Sequence, residues 1–371
     1  MKHTWRLGRI FGVDIHVASS WIVIFIIFTW VLGGSHFPRA HPTWQPSLNW
    51  MIGLLTSLLV FASVLAHELA HSLVAIKQGE KVHSITLFIL GGVARITEEP
   101  KKPQKEFFMA LVGPMSSFAL ALLFFLLSLL LEGVSGPLSA SASYLAVINL
   151  ALGIFNLLPG FPMDGGRVLR SILWSLTGNL KKATRTASLV GQGFAFFLIM
   201  GGVWQILVGS ISGLWWILIG WFLHNAAVRG YSEVQIKSAL QGMTAEDLMN
   251  KEFGTVPEGL LVRDLVDDYI LKKKERVFLV VDNGSLKGIV CLDDVKKTPQ
   301  DKWSHVIVRD IMTPRDRLEA VSPRADGNVV LSSLASRDIH QVPVMEGEKI
   351  AGIICRSDLL KYIQLRSELG V

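Results

Sequence analysis

Cysteine is almost absent. The 371 residues hold two, Cys291 and Cys355, too few for the cross-linked scaffold of a small secreted protein. Both are expected to be buried small hydrophobes. Charge is sparse as well: charged residues make up 18% of the chain against 50% hydrophobic, which excludes an ordinary soluble protein. The net charge of +6 comes without a basic stripe interleaved with aromatics, so nucleic acid is excluded as a partner. A cleavable signal peptide is not expected either. The first apolar run follows a polar arm of about 15 residues, is too long for a signal h-region, and lacks a small-residue cleavage site.

What the chain has in quantity is long apolar runs, all placed before Arg229. Segments 17–34, 50–76, 107–131, 144–158, 188–209 and 213–228 predict about six transmembrane helices, most reaching the ~20 residues needed to cross the hydrocarbon core. The fourth is expected to continue into a re-entrant loop. Basic residues alternate between the connections. Lys2, Arg6 and Arg9 precede the first run; Lys77, Lys81, Arg95, Lys101, Lys102 and Lys105 follow the second. Arg167, Arg170, Lys181, Lys182 and Arg185 follow the fourth, whereas connection 132–143 and the turn at 209–213 have none. The positive-inside rule then predicts a multi-pass protein of the cell membrane with both termini cytoplasmic.

His67-Glu68-Leu69-Ala70-His71 lies inside the second apolar run. On a helix, two histidines four residues apart share a face, where their imidazoles can hold one Zn²⁺. Glu68 can then act as general base toward water. Two imidazoles and a carboxylate at membrane depth are costly when unpaired and mark a functional site. The alternative is a chance match on a core helix. His71 precedes Lys77 by six residues, roughly 9 Å at the helical rise, so the candidate metal lies inside the bilayer but nearer the cytoplasmic end.

A catalytic zinc commonly takes three protein ligands. The soluble routes to the third fail here. In the pattern H-E-x-x-H-x-x-G-x-x-H the last two positions are Val74 and Lys77, and the downstream stretch Leu87-Phe88-Ile89-Leu90 offers no carboxylate. The stretch from Asn156 through Pro159 and Pro162 to Asp164-Gly165-Gly166 offers one. The prolines break the helix and the glycines free the backbone. A short loop can then bring Asp164 to the metal and Asn156 to a substrate amide or developing oxyanion. Asp164 as a helix N-cap and Asn156 as a bond between helices are the structural alternatives.

These two motifs together resemble the signature of the site-2 protease family of intramembrane zinc metalloproteases, over roughly residues 1–230. The resemblance implies that His67, His71 and Asp164 bind zinc, that Glu68 is the catalytic base and that Asn156 contacts substrate or transition state. Gly91-Gly92-Val93-Ala94 after the second run and Gly113-Pro114, expected to open the third, also match. The family often has Asn three residues after that proline. Ser117 stands there instead, a departure expected to leave the metal site untouched.

Alternation from Val82 to Thr97 predicts a short re-entrant β-hairpin near the membrane edge, turning at Gly91-Gly92. A peptide bond inside a helix is shielded by its own hydrogen bonds. A free strand edge carrying Gly91, Gly92, Val93 and Ala94 can bind an opened segment by β-augmentation and replace those bonds. The other reading is a hairpin that merely packs over the helices.

After a linker at 231–242 the chain repeats itself. Asp247-Leu248-Met249 matches Asp310-Ile311-Met312, 63 residues on, and Gly288-Ile289-Val290-Cys291 matches Gly352-Ile353-Ile354-Cys355 at an offset of 64. Two copies of one α/β unit, 243–300 and 301–371, resemble a cytosolic tandem pair of CBS domains. That resemblance implies an adenine nucleotide as ligand, with Asp294 and Asp358 contacting its ribose, and a homodimer as a fair expectation. The family's Thr or Ser before that Asp is replaced by Cys291 and Cys355; a ligand-free dimerisation or scaffolding module is the other reading.

The expected fold is thus a polytopic α-helical membrane domain (1–230) followed by a cytosolic α/β tandem CBS module. The expected function is intramembrane zinc endopeptidase, cutting a transmembrane or membrane-proximal peptide bond of a membrane-embedded protein in the lipid bilayer, with the CBS pair as regulator. The alternatives are a CBS-regulated ion channel or transporter, which gives no reason for the four polar residues, and a catalytically dead scaffold, against which the complete set of ligands argues.

Overall fold

The computed structural model describes residues 4–89, 91–96, 100, 102–282, 285–336, 339–347 and 349–369. Lys2, Leu90, Thr97 and Lys101, named above, lie outside them. The chain divides into two compact units, Met1–Val234 and Gln235–Val371.

The N-terminal arm of the first unit is a β-hairpin, β1 (Thr4–Ile10) and β2 (Val13–Ala18). Val13, Ile15 and Val17 alternate with Asp14 and His16. The three apolar side chains are buried in a cluster with Val64, Leu65 and Leu69. Strand β3 (Val82–Phe88) joins β2 in parallel and β4 (Gly91–Ile96) pairs antiparallel with β3, giving the order β1-β2-β3-β4 with β4 at an edge. The expected short hairpin forms, and it is half of a four-stranded sheet. Gly91 and Gly92 do not form its turn: they begin β4, pairing with Phe88 and Leu87. Gly91 adopts φ +133°, which a side chain would resist.

Helix α1 (Ser19–Val31) passes through a π-helical turn (Leu32–His36) into α2 (Phe37–Ala40), and the three together form one candidate span. Next come α3 (Pro46–Lys77), α4 (Pro103–Leu131) and α5 (Gly136–Asn156), each with proline in its first turn, where the missing N–H costs nothing. The short α6 (Asp164–Thr177) leads to α7 (Leu180–Leu207) and α8 (Gly213–Ala239). Five of these elements are long and apolar enough to cross a membrane: Ser19–Ala40, α3, α4, α5 and α7. The sixth expected span is helical, but His224 and Asn225 interrupt its apolar run.

Two expectations fail inside these helices. Gly113-Pro114 does not open the third span: helix α4 starts ten residues earlier, and Pro114 lies within it. The stretch read as a linker is helical as far as Ala239, and Ala239 and Leu240 are buried in the second unit's core. Small polar side chains join the spans. Thr56 and Ser141 hydroxyls meet at 2.7 Å, and Asn149 Nδ2 donates to Ser63 Oγ at 3.1 Å.

The second unit contains α9 (Ala245–Leu248), β5 (Gly254–Pro257), α10 (Val262–Asp264), β6 (Val277–Asp282), β7 (Ser285–Cys291), α11 (Leu292–Lys296), α12 (Val308–Ile311), β8 (Thr313–Pro314), α13 (Gly327–Ser336), β9 (Gln341–Glu346), β10 (Lys349–Cys355) and α14 (Arg356–Leu369). The repeat is visible in the pairing. Strand β5 runs parallel to β6, as Val321 does to Val344 in β9, and each is followed by an antiparallel pair, β6–β7 or β9–β10. Each copy lends its first segment to the other: β8 pairs with β7, and Asn250 bridges to Ile353 in β10. Leu240 and Ala245 accordingly share a core with Val342, Val344 and Ile354.

Candidate active site and metal centre

Helix α3 brings His67 and His71 to one face, as the four-residue spacing requires, and both are buried. The turn after α5 returns the chain so that Asp164, the first residue of α6, meets them. His67 Nε2 lies 3.1 Å and His71 Nε2 3.1 Å from Asp164 Oδ2, and the two nitrogens are 3.2 Å apart. Four tetrahedral ligands about 2.0–2.1 Å from a zinc ion stand roughly 3.3 Å apart, so the triangle is close to what that ion needs. Among the described residues this is the one cluster of three such ligands within 4.8 Å of one another.

The outer partners of the rings support the same reading. His71 Nδ1 lies 2.6 Å from the Met109 carbonyl oxygen, which only accepts, so Nδ1 donates there and Nε2 is the ring nitrogen left to face a cation. His67 Nδ1 lies 2.9 Å from Ser117 Oγ. Two ring nitrogens and a carboxylate oxygen therefore converge, a donor set that suits a cation. Space for it comes from Gly113 on α4. A Cβ there would stand 2.7 Å from His67 Nε2 and nearer still to His71 Nε2, filling the room between the donors. The residues present thus fit a zinc ion.

Ser117 corrects an expectation: the residue standing in place of Asn is bonded to the first histidine. Outer partners of this kind fix ring orientation and tune a metal ligand. One face of α4 thus carries Met109, Gly113 and Ser117 against both imidazoles. The sequence missed this because the partners are 38 and 50 residues apart.

Glu68 is half-buried on the next face of α3 and lies beside the edge strand: a Cβ on Gly92 would come 2.5 Å from Glu68 Cγ and 3.3 Å from its Oε1. Of the neighbouring strand residues, Val93 is exposed and Ala94 packs on the sheet core. Asn156 is the last residue of α5, half-buried, with no side-chain hydrogen bond among the described residues. Asp164 is not an N-cap, since Met163 holds that position and the carboxylate faces the histidines.

The loop between them is held by backbone contact that only glycine allows. A Cβ on Gly160 would be 2.6 Å from the Gly191 backbone, and Phe161 N donates to Ala187 O at 3.2 Å. A further polar group lies beside it. Glu106 on α4 and Arg170 on α6 are both buried, with Arg170 Nε donating to Glu106 Oε1 at 2.7 Å and Nη2 donating to the same oxygen. Arg167 Nε stands 3.9 Å from that oxygen. In the sequence Arg167 and Arg170 stand only as basic residues of a connection.

In the second unit the two aspartates differ. Asp294 Oδ2 accepts from Cys291 N at 3.0 Å and from Cys291 Sγ at 2.9 Å, closing a capping box on α11. Cys291 is buried as expected and in addition donates to the aspartate. Asp358 is exposed and lines a 440 Å³ cavity with Phe253, Lys274, Arg276, Cys355 and Lys361. Burial, and then the Asp358 charge, push the Cys355 thiol up to about 11.

Comparison with known proteins agrees with both halves. The model of peptidase family M50 matches residues 55–142 and 133–200, and that of the CBS domain matches 245–300 and 308–365. The Synechocystis sp. protein sll0528, provisionally named a zinc metalloprotease, is 36% identical over 374 residues, covering 98% of this chain and 96% of its own. Zinc metalloprotease MJ0392 of Methanocaldococcus jannaschii is 31% identical, covering 100% of this chain and 99% of its own. Among solved structures, the site-2 protease from the same organism is 29% identical with a TM-score of 0.42, covering 62% of this chain and 95% of that one.

Proposed function

The chain belongs to peptidase family M50, and from that premise we propose that it is an intramembrane zinc endopeptidase cutting a transmembrane or membrane-proximal peptide bond of a protein substrate. The observation that carries this reading is the convergence of His67, His71 and Asp164 on one point inside an apolar helix bundle. These three would hold the ion. When bound, zinc supplies Lewis acidity toward a water and the scissile carbonyl. Glu68 takes the proton from the attacking water and delivers it to the leaving amine. Asn156, whose amide is free of other bonds among the described residues, donates to the carbonyl oxygen as charge develops there.

A helical substrate must first be opened. The edge of β4, at Gly91, Gly92, Val93 and Ala94, takes the extended segment as an added strand and returns the backbone bonds it lost. The position of Gly92 against Glu68 supports this, because a strand added there passes the base. In the same reading residues 1–230 form the peptidase domain, α8 is a sixth span and both termini face the cytoplasm. Copies 243–300 and 301–371 regulate the peptidase by binding an adenine nucleotide through Asp294 and Asp358, and the pair associates into a homodimer.

The test is Glu68→Gln. The variant is expected to keep one zinc per chain while losing cleavage of a reconstituted membrane substrate by about 10²–10⁴-fold. Cleavage at the wild-type rate by E68Q would remove Glu68 as the base.

A further inference from the structure

One face of α4 touches the metal site at four levels. Ser117 bonds to His67, Gly113 leaves room beside both Nε2 atoms, the Met109 carbonyl holds His71, and Glu106, a turn further on, binds Arg170. The spacing 106, 109, 113, 117 is that of a single helical stripe. Three of these contacts set the histidines. The fourth reaches the other side of the site, because Arg170 belongs to the helix that begins with Asp164.

Among the described residues, the ion pairs of Glu106 with Arg170 and Arg167 are the only polar contacts between α4 and α6. Arg170 also lies over the Phe161 ring, 5.1 Å from its centroid, and Phe161 belongs to the loop that delivers Asp164. That loop and the start of α6 are rich in glycine, with Gly160, Gly165 and Gly166, so their conformation is fixed by neighbours rather than by their own backbone. A buried ion pair is a poor source of stability but a strong constraint on geometry.

We propose that Glu106 and Arg170 form a positioning pair that holds Asp164 at ligating distance from His67 and His71, an inference that rests on those three being the zinc ligands. Arg170 ties both α6 and the loop to the helix that sets the histidines. The third ligand, brought from far along the chain, is thereby registered against the first two.

The test uses the full-length protein in lipid nanodiscs, with zinc affinity read by chelator competition, the cobalt-substituted protein read by visible absorption, and stability by thermal unfolding. Removing both charges together, as E106M/R170M, leaves unpaired only Arg167, whose side chain is a quarter exposed to solvent, and should preserve the fold. This double variant is expected to hold zinc 10–100-fold more weakly, as losses around metal ligands do, and its cobalt spectrum should weaken as the carboxylate leaves the ion. R170K, keeping the charge but not the planar fork, should fall between it and wild type. Wild-type zinc affinity and cobalt spectra in both variants, whatever their stability, would overturn the inference. Should the double variant not fold, R170K decides on the same criterion. Equal zinc binding by wild type and His67→Ala would instead overturn the ligand assignment, and this inference with it.

Discussion

Gly113→Ala separates the needs of the metal from the needs of the helix. Inside α4 the substitution should favour folding by about 0.5–1 kcal/mol, because alanine loses less backbone freedom than glycine. At the site it does the opposite. The new methyl would stand 2.7 Å from His67 Nε2 and closer to His71 Nε2, in the space between the donors. Relief requires His71 to move, which breaks its 2.6 Å bond to the Met109 carbonyl. Losing the common point of both nitrogens should weaken zinc by at least ~100-fold, or about 2.7 kcal/mol. Gly193→Ala on α7, with nothing within 4 Å of its Cβ, serves as the control that gains propensity alone. Zinc content after dialysis against a graded chelator series, with thermal unfolding in parallel, reads both effects. If G113A retains zinc as tightly as G193A, the donors do not converge beside Gly113 and the reasoning fails.

Ser117→Ala removes the partner of His67 Nδ1 at 2.9 Å and is expected to lower zinc affinity about 10-fold with little change in unfolding temperature, whereas Ser117→Asn should restore much of it. Equal affinity in S117A and wild type would count against that bond. Gly191→Ala would set a methyl 2.8 Å from Phe161 N and nearer its carbonyl oxygen, displacing the loop that carries Asp164. Loss of cleavage and of zinc together is expected, and a fully active variant would contradict it. With its thiol pushed up to about 11 from the usual 9, Cys355 should alkylate roughly 100-fold more slowly than a free cysteine at pH 8. The sign follows from the rise: the reactive thiolate stays scarce until pH passes the raised value. Mass spectrometry of C291S protein over a pH series reads it, and ordinary reactivity at pH 8 would sink the claim.

Much of the site was legible because its chemistry is local. Two histidines at helical spacing with a carboxylate between them need no partner to be noticed, and a proline- and glycine-rich break carrying Asp164 advertises a return of the chain. What escaped notice depends on packing between distant segments. Nothing in the sequence places Ser117 beside His67 or the Met109 carbonyl beside His71, since α4 must first dock on α3. Arg170 served as a count in a charge bias, although its burial against Glu106 makes it part of the core. The N-terminal hairpin was within reach: Val13, Ile15 and Val17 alternate with polar residues, but the arm's charges masked that period. The turn before β4 was misplaced for a related reason, because paired glycines usually mark turns and here they open a strand that passes close to Glu68.

The most direct measurement is the coordination shell of the metal in purified full-length protein, by X-ray absorption at the zinc edge together with metal counting. The account predicts one zinc per chain, bound by two imidazoles and oxygen donors, with one oxygen lost in Asp164→Ala and one imidazole lost in His71→Ala. A wild-type zinc shell unchanged by Asp164→Ala would show that the aspartate and the histidines do not share an ion.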